Sequence, residues 1–307
     1  MILITGATGY FGRHLVRQLA GQGVRPRCLV RDPQRAAALF AGQQIEIVQG
    51  DTRQAETLVR AVSGVETIIH AAFLTADRKE TPAASYTATN VAGTTNLVRA
   101  AQEAGVARFI EISGLGTRQD APGSYMQGRY LAEQVVRESG PGWTIVQPSV
   151  LFGPDAPFLK GLCALIRASP VVPLPGGGQV LFQPIHVEDV VGVVVHLLAT
   201  PRFGREQALP IGGPARLTLA QIVAALLRAM GRRRLLLPMP LSLVGVGATL
   251  MQAVLPRPPL TRAALTLFSF DNITDLDSVE RLTGVAPRSF ERFLCTGLSA
   301  VDRRASY

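Results

Sequence analysis

The sequence predicts an α/β protein: a doubly wound parallel sheet with helices on both faces, continued by a smaller C-terminal α/β lobe. Three observations carry this reading. Short, β-branched apolar runs alternate with stretches of helical spacing through the first half of the chain. A glycine-rich loop sits between the first run and the first helical stretch. Hydrophobic residues make up 47% of the chain and charged ones only 17%, enough for a well-filled core and too apolar for a disordered chain.

The strand-like runs are 2–5, 27–30, 45–48, 67–71, 108–112 and 144–146. Between them, 11–20, 54–62, 89–104 and 125–138 repeat apolar residues at helical spacing. Regular alternation of this kind makes βαβ units and a parallel sheet covered on both sides. After about residue 150 the pattern loosens, with proline- and glycine-rich stretches such as PLPGGGQ and PRPP. This predicts a first domain over 1–150, with 184–200 returning to it, and a smaller substrate or interaction lobe over 151–307.

The loop TGATGYFG runs from Thr5 to Gly12 and opens a helix near Tyr10. Gly6 allows a tight turn, Gly9 lets the backbone approach a pyrophosphate, and Gly12 allows close packing of helix on strand. The helix beginning near Tyr10 offers unpaired N–H groups and a positive dipole end to the phosphates, and Thr8, Tyr10, Phe11 and Arg13 are expected at the cofactor. The second strand ends LVRDP. A site preferring NAD would place an acid at this tip, on the ribose 2′-hydroxyl. Arg31 stands there instead, and with Arg13 it favours NADP(H) over NAD(H). Two alternatives stay open: both arginines are simply solvated, or Asp32 takes the ribose.

A net charge of +9 suits a polyanion, a membrane surface or a phosphorylated ligand. The basic residues read as scattered arginines, densest at Arg232–Arg234, without zinc-finger or RNA-binding spacing, so specific nucleic-acid binding is not expected. Cys28, Cys163 and Cys295 lie far apart without a CxxC, which predicts buried thiols in a reducing compartment and no metal site. MILITG is already a strand running into the glycine loop, so a cytoplasmic location is expected.

Several further motifs, QGDTR, IIHAAF, TNVAGTTNLVRAA, EISGLG, YMQGRYLAEQVV, WTIVQPSVLFGP and FQPIHVEDVV, follow TGATGYFG in order. Together they resemble the extended or atypical short-chain dehydrogenases/reductases, which have a Rossmann fold. The runs PVVPLPGGGQVLFQPIHVEDVV, PIGGP…LTLAQIV and RPPLTRAAL look like the group that includes the nucleotide-binding accessory subunit of respiratory complex I. The resemblance implies that Asp51 and Thr52 lie beside the adenine and that Ala71, Ala72 and Phe73 line the cofactor. It also implies that Pro148, Ser149 and Val150 face the nicotinamide end. Ser113 and Tyr125 would occupy the catalytic serine and tyrosine positions. His70 and His186 sit at strand ends and are read as packed residues without a role in the chemistry.

In that family the tyrosine gives a proton to a carbonyl oxygen as hydride arrives, aided by a lysine four residues on. Here the fourth residue on is Arg129. One helical turn puts Tyr125 and Arg129 on the same face, where both can meet one ligand. Arginine keeps the charge and can donate to ribose hydroxyls, but it cannot join a proton relay. The opposing reading is a tyrosine–arginine pair on a partly exposed helix. Gln147 replaces an arginine common before the proline that ends the sixth strand, and Gly128, a poor helix former, is expected to loosen the helix. Both changes favour cofactor binding over turnover.

The run LLLPMPLSLVGVGATLMQAVLP, 235–256, has no charge and follows Arg232–Arg234. Three prolines argue against one spanning helix, and a strand followed by a short helix explains the run. The readings, in order, are a buried part of the second lobe and a peripheral membrane or protein-complex contact through 232–256, at the inner membrane surface. The functional readings are an NADP(H)-binding oxidoreductase acting on a small apolar carbonyl or alkene, a non-catalytic NADPH-binding accessory protein, and a sugar-nucleotide epimerase. The substrate is unknown in all three.

Overall fold

The computed structural model describes residues 1–76, 78, 80–81, 84–120, 123–140, 142–254 and 263–303, with backbone alone for 250–254, 263–264 and 297–303. PRPP and most of RPPLTRAAL lie outside these residues. In chain order the elements are β1 (Ile2–Thr5), α1 (Tyr10–Gly21), β2 (Arg27–Val30), α2 (Pro33–Leu39), β3 (Glu46–Gln49), α3 (Leu58–Val62), β4 (Thr67–His70), α4 (Gly93–Glu103), β5 (Arg108–Ile112), α5 (Tyr125–Arg137) and β6 (Trp143–Pro148). There follow β7 (Leu151–Phe152), α6 (Pro157–Ala168), β8 (Val171–Pro175), β9 (Leu181–Phe182), β10 (Ile185–His186), α7 (Val187–Ala199) and β11 (Gln207–Ile211). The chain continues through β12 (Leu217–Thr218), α8 (Leu219–Ala229), β13 (Leu235–Met239), α9 (Leu241–Val254), α10 (Ser278–Thr283) and α11 (Phe290–Arg303).

Two compact units emerge. The first holds Met1–Leu74, Glu80–Gln147 and Val191–Leu209; the second holds Thr75–Lys79, Pro148–Val190 and Pro210–Tyr307. The first is built on a seven-stranded sheet in the order β11-β6-β5-β4-β1-β2-β3, with parallel pairing from β6 through to β3. Strand order reverses between β1 and β4, and such a switch point opens a crevice at the carboxyl ends of the strands. The doubly wound Rossmann sheet expected from the alternation is therefore present. Leu3, Ile68 and Ile145 on its strands and Leu97 on α4 are fully buried in one cluster, each contributing about 1.5–3 kcal/mol by leaving water.

Three local differences have physical causes. α2 breaks no strand–helix rule but is short, seven residues, and starts at a proline after an Asp32 cap, a signal that periodicity alone does not register. The helix expected over 89–104 begins as a π-helical stretch, Thr87–Ala92, before α4. Its wider turn coincides with the inward side chain of Asn90, which is fully buried. Cys28 and Cys163 are buried as expected, but Cys295 is exposed. Among the described side chains of α11 the buried ones are Phe290 and Leu294, and Cys295 falls one step off that stripe.

The second unit contains three two-stranded sheets, β10-β7, β12-β9 and β13-β8. His186 packs there against the rings of Phe152 and Phe293, at 5.0 and 5.6 Å between centroids. The uncharged run is a strand followed by a helix, as read from its prolines. Its burial is partial: Val244 and Ala248 on α9 are buried, whereas Leu235 and Leu237 on β13 and Leu243 and Val246 on α9 are exposed. Among the described residues no helix is long and apolar enough to cross a membrane.

Candidate functional site

The glycine loop is held where β1 and β4 diverge. Gly6 takes φ of +69°, and a Cβ there would lie 2.4 Å from the Ala71 carbonyl oxygen. A Cβ on Gly12 would lie 2.2 Å from the Gly6 oxygen. Both obstacles are backbone, so neither position tolerates a side chain. Gly9 caps α1, with no side-chain cap and no acid in the first turn. The Gly9 N–H donates to the Gly6 carbonyl at 2.9 Å, and the helix start that follows has neither a side-chain cap nor an acid to compete with an anion, so the cradle fits a pyrophosphate. Thr8, Gly9 and Tyr10 are at least partly accessible, whereas the Phe11 side chain is in the core, leaving only its backbone N–H to face a ligand. The Arg13 guanidinium lies 5.4 Å from the Tyr10 ring centroid.

A continuous hydrogen-bond chain ties this loop to the end of β4 and to α4. The Ala71 N–H donates to Thr5 Oγ1 at 3.3 Å, and Thr5 Oγ1 lies 2.7 Å from His70 Nδ1. His70 Nε2 lies 3.0 Å from Thr94 Oγ1, which donates to the Asn90 carbonyl at 2.5 Å. Because Thr94 spends its proton on Asn90, it accepts from Nε2–H, and Nδ1 accepts from Thr5. One neutral tautomer satisfies every group. Burial, with the Arg129 charge adding to it, pushes the His70 pKa down to about 3. His70 is thus the packed, uncharged residue anticipated from its position.

Asn90 clamps the loop that carries Ala71, Ala72 and Phe73. Its Oδ1 accepts from the Leu74 N–H at 2.7 Å and its Nδ2 donates to the Leu74 carbonyl at 3.1 Å. It carried no role in the sequence reading, although TNVAGTTNL contains it; an asparagine paired to main chain from a π-helical turn leaves no periodic trace.

Arg31 is exposed at the tip of β2 and lines a groove of about 620 Å³ together with Gly50 and Asp51. Asp32 accepts from the Arg35 N–H at 2.9 Å and so caps α2. Asp51 is chelated by Arg53, with Nη2–Oδ2 at 2.6 Å. Burial alone would raise the Asp51 carboxyl, but the Arg53 hydrogen bonds and charge hold it below its ordinary value. Thr52 is buried, and its carbonyl accepts from Asn96 Nδ2 at 3.0 Å.

Tyr125 and Arg129 meet as their spacing on α5 predicts. Arg129 Nε donates to the Tyr125 hydroxyl at 3.0 Å, and Nη1 donates to the Ile112 carbonyl at 2.7 Å. The guanidinium carbon lies 4.0 Å from the Phe73 ring centroid. Arg129 is only 6% exposed, while Tyr125 is half-buried on a helix that is itself partly exposed. Gly128 does not loosen the helix. A Cβ there would come within 3.0 Å of Tyr86 Cβ, so the missing side chain lets α5 close on the π-helical stretch.

Ser113 is not joined to this pair by any hydrogen bond the structure gives. Its hydroxyl donates to the buried carboxylate of Glu133 at 2.6 Å. Gln147 Nε2 reaches both oxygens of Glu133, at 2.8 and 3.0 Å, and Arg137 pairs with it at 2.8 Å. Gln147 therefore keeps the hydrogen bonds an arginine could make, while Arg137 supplies the charge. Beside them Glu111 is wholly buried, and neither carboxyl oxygen has a hydrogen-bond partner among the described residues. Burial first, then the Glu133 charge, push its pKa up to about 8.

Pro148, Ser149 and Val150 belong to the second unit. The Ser149 hydroxyl lies 2.7 Å from Asn272 Oδ1 and 3.0 Å from its carbonyl, and the Val150 carbonyl accepts from the Ile185 N–H at 3.0 Å. Among the described residues no group of three or more His, Cys, Asp or Glu could hold a metal ion.

A phosphate cradle at the switch point of a doubly wound sheet, with a tyrosine–arginine pair on α5, defines a nicotinamide-dinucleotide-binding protein of oxidoreductase type. The chain belongs to the NAD(P)H-binding family, whose model matches residues 6–201. It is 37% identical over 205 residues to the ceramide reductase of Caulobacter vibrioides, covering 66% of this chain and 62% of that protein, less than two thirds of the relative's length. The NAD(P)H azoreductase of Xenophilus azovorans is 35% identical over 239 residues, 76% of this chain and 74% of that one. The mitochondrial NADH dehydrogenase [ubiquinone] 1 alpha subcomplex subunit 9 of Arabidopsis thaliana is 27% identical over 247 residues, 78% of this chain and 60% of that one. The resemblance read from the motifs is thereby borne out at family level.

Proposed function

We propose that the protein is an NADPH-dependent reductase acting on a small, largely apolar carbonyl or alkene substrate. The Tyr125–Arg129 contact carries this reading. When bound, the reduced nicotinamide supplies a hydride. Tyr125 gives its hydroxyl proton to the oxygen that gains negative charge, and the Arg129 guanidinium, 3.0 Å away, stabilises the phenolate left behind. Stacking on Phe73 and the bond to the Ile112 carbonyl fix the guanidinium, so its charge is aimed before reaction. Gly6, Thr8, Gly9, Tyr10, Gly12 and the Phe11 N–H would receive the pyrophosphate. Asp51 and Thr52 would border the adenine, and Ala71, Ala72 and Phe73 the far end of the cofactor. Pro148, Ser149 and Val150 are proposed to face the nicotinamide.

The preference for NADP(H) is supported by a division of labour at the end of β2. Asp32 spends its carboxylate on capping α2, which removes it as a ribose acceptor, while Arg31 is exposed at the tip and would meet a 2′-phosphate with Arg13. A second reading, cofactor binding without turnover, is favoured by Ser113, whose proton is committed to Glu133. It agrees with the relation to a respiratory-complex subunit.

NADPH oxidation against a panel of ketones, quinones and enones, for the wild type and Tyr125→Phe, separates the two readings. The reductase reading expects turnover with at least one class and a loss of about 100-fold or more in Tyr125→Phe, at unchanged NADPH affinity. Equal turnover in the variant removes Tyr125 from the chemistry, and NADPH binding without turnover on any class supports the second reading.

A further inference from the structure

One long stretch of the chain is basic and free of acids. Over residues 207–270, 64 positions, the sequence has seven arginines, no lysine and no acid, which accounts for +7 of the net +9. Of these, Arg216, Arg228, Arg232 and Arg233 are exposed. None of the four, nor Arg234, forms an ion pair among the described residues. Two more, Arg257 and Arg262, follow the uncharged run in the sequence.

Exposed apolar groups gather in the same region. Ten large hydrophobic side chains are exposed among the described residues, and four of them, Leu235, Leu237, Leu243 and Val246, fall within twelve consecutive positions. On α9, Val244 and Ala248 are buried one helical turn apart while Leu243 and Val246 point away at i, i+3. A helix facing only water would carry charged residues on that outer side; this one has none between 235 and 254. Among the described residues β13 pairs only with β8, and its own sequence has no protective charge and only Pro238 to blunt an edge.

We propose that β13 and α9, with the arginines preceding them, form a docking surface for an anionic lipid bilayer. The combination selects this occupant. Guanidinium groups with no acid among them attract phosphate headgroups, and leucine and valine beside them enter the acyl boundary. A nucleic acid would use the arginines but would leave four apolar side chains in water. α9 has 14 residues, about 21 Å of helix, short of the roughly 30 Å hydrocarbon core. The segment therefore lies on the bilayer rather than through it.

Flotation of the full chain with vesicles of phosphatidylglycerol and phosphatidylcholine, against phosphatidylcholine alone, tests this. The protein is expected to float with the anionic vesicles at low salt, and to stay at the bottom with the neutral ones. Arg232→Gln with Arg233→Gln should lower partitioning by about 30-fold, at roughly fivefold per lost charge. Leu243→Ser with Val246→Ser should weaken it by about tenfold or more and make the remainder vanish at high salt. All four residues are exposed, so both variants should keep the wild-type melting curve and NADPH affinity. Absence of flotation, equal flotation with neutral vesicles, or unchanged partitioning in both variants overturns the proposal. So does a dimer dispersed by the Leu243/Val246 variant, or retention of an RNA oligonucleotide in preference to anionic vesicles.

Discussion

His70 on β4 and Glu111 on β5 stand opposite one another in register, and burial keeps both uncharged at neutral pH. The two are shifted in opposite senses: His70 falls from 6.5 to about 3, Glu111 rises from 4.5 to about 8. Below pH 6.5 the unfolded chain takes up a proton on His70 that the folded chain refuses, so this term lowers stability as pH falls towards 3. Above pH 4.5 the unfolded chain releases the Glu111 proton that the folded chain retains, so that term lowers stability as pH rises towards 8. Between 4.5 and 6.5 the two slopes, each about 1.4 kcal/mol per pH unit, cancel. Thermal unfolding followed across pH should show a plateau there with a decline on either side. Glu111→Gln should flatten the decline between 6.5 and 8 while leaving the acid limb; an unaltered alkaline limb would contradict the assignment.

Asp32 and Arg31 should separate cleanly. Asp32→Ala removes a helix cap and should cost about 1 kcal/mol of stability without weakening NADH. Arg31→Ala should weaken NADPH by about 10- to 100-fold through loss of a charge-assisted contact and leave NADH nearly unchanged. Titrations of both cofactors against both variants check this, and weaker NADH binding in Asp32→Ala would return the ribose to Asp32.

Gly12→Ala should remove cofactor binding, because its methyl group would need the space of the Gly6 carbonyl oxygen, 2.2 Å away. Melting should also drop, by at least about 2 kcal/mol in stability, since backbone cannot step aside as a side chain can. A variant that melts like the wild type and binds NADPH equally would show that the loop does not hold the pyrophosphate.

Asn90→Ala should free the Leu74 main chain and with it Ala71, Ala72 and Phe73. Two hydrogen bonds lost predict about 1–3 kcal/mol of destabilisation and a weaker grip on NADPH. Calorimetric melting together with a cofactor titration tests both. Loss of stability with unchanged affinity would confine Asn90 to a structural role.

Much of the first unit was legible because its signals are local. β1, β2 and β5 match the expected runs residue for residue, since buried parallel strands must be short, apolar and β-branched. The glycine loop was legible for a related reason: Gly6 and Gly12 are set by close backbone approach, which only one residue type permits. The Glu133 network was not legible. Glu133 and Arg137 lie on α5, Gln147 on β6 and Ser113 just past β5, and only the folded chain shows that Ser113 donates to Glu133. The basic region escaped for the opposite reason. Its arginines look scattered when counted one by one, and what singles them out is the missing acid across 207–270. The burial expected for 235–256 holds among the described side chains only in part, at Val244 and Ala248, because apolar composition reports a preference for leaving water without saying what replaces it.

The most direct test of the account is transfer of label from NADPH deuterated at the nicotinamide C4 to product, followed by mass spectrometry on whichever carbonyl or enone the panel identifies. Wild type should place one deuterium in each product molecule, and Tyr125→Phe should form labelled product about 100-fold or more slowly although it holds NADPH equally well. Product formed without deuterium from either C4 face, or labelled product formed equally fast by Tyr125→Phe, would contradict hydride transfer with Tyr125 as the proton donor.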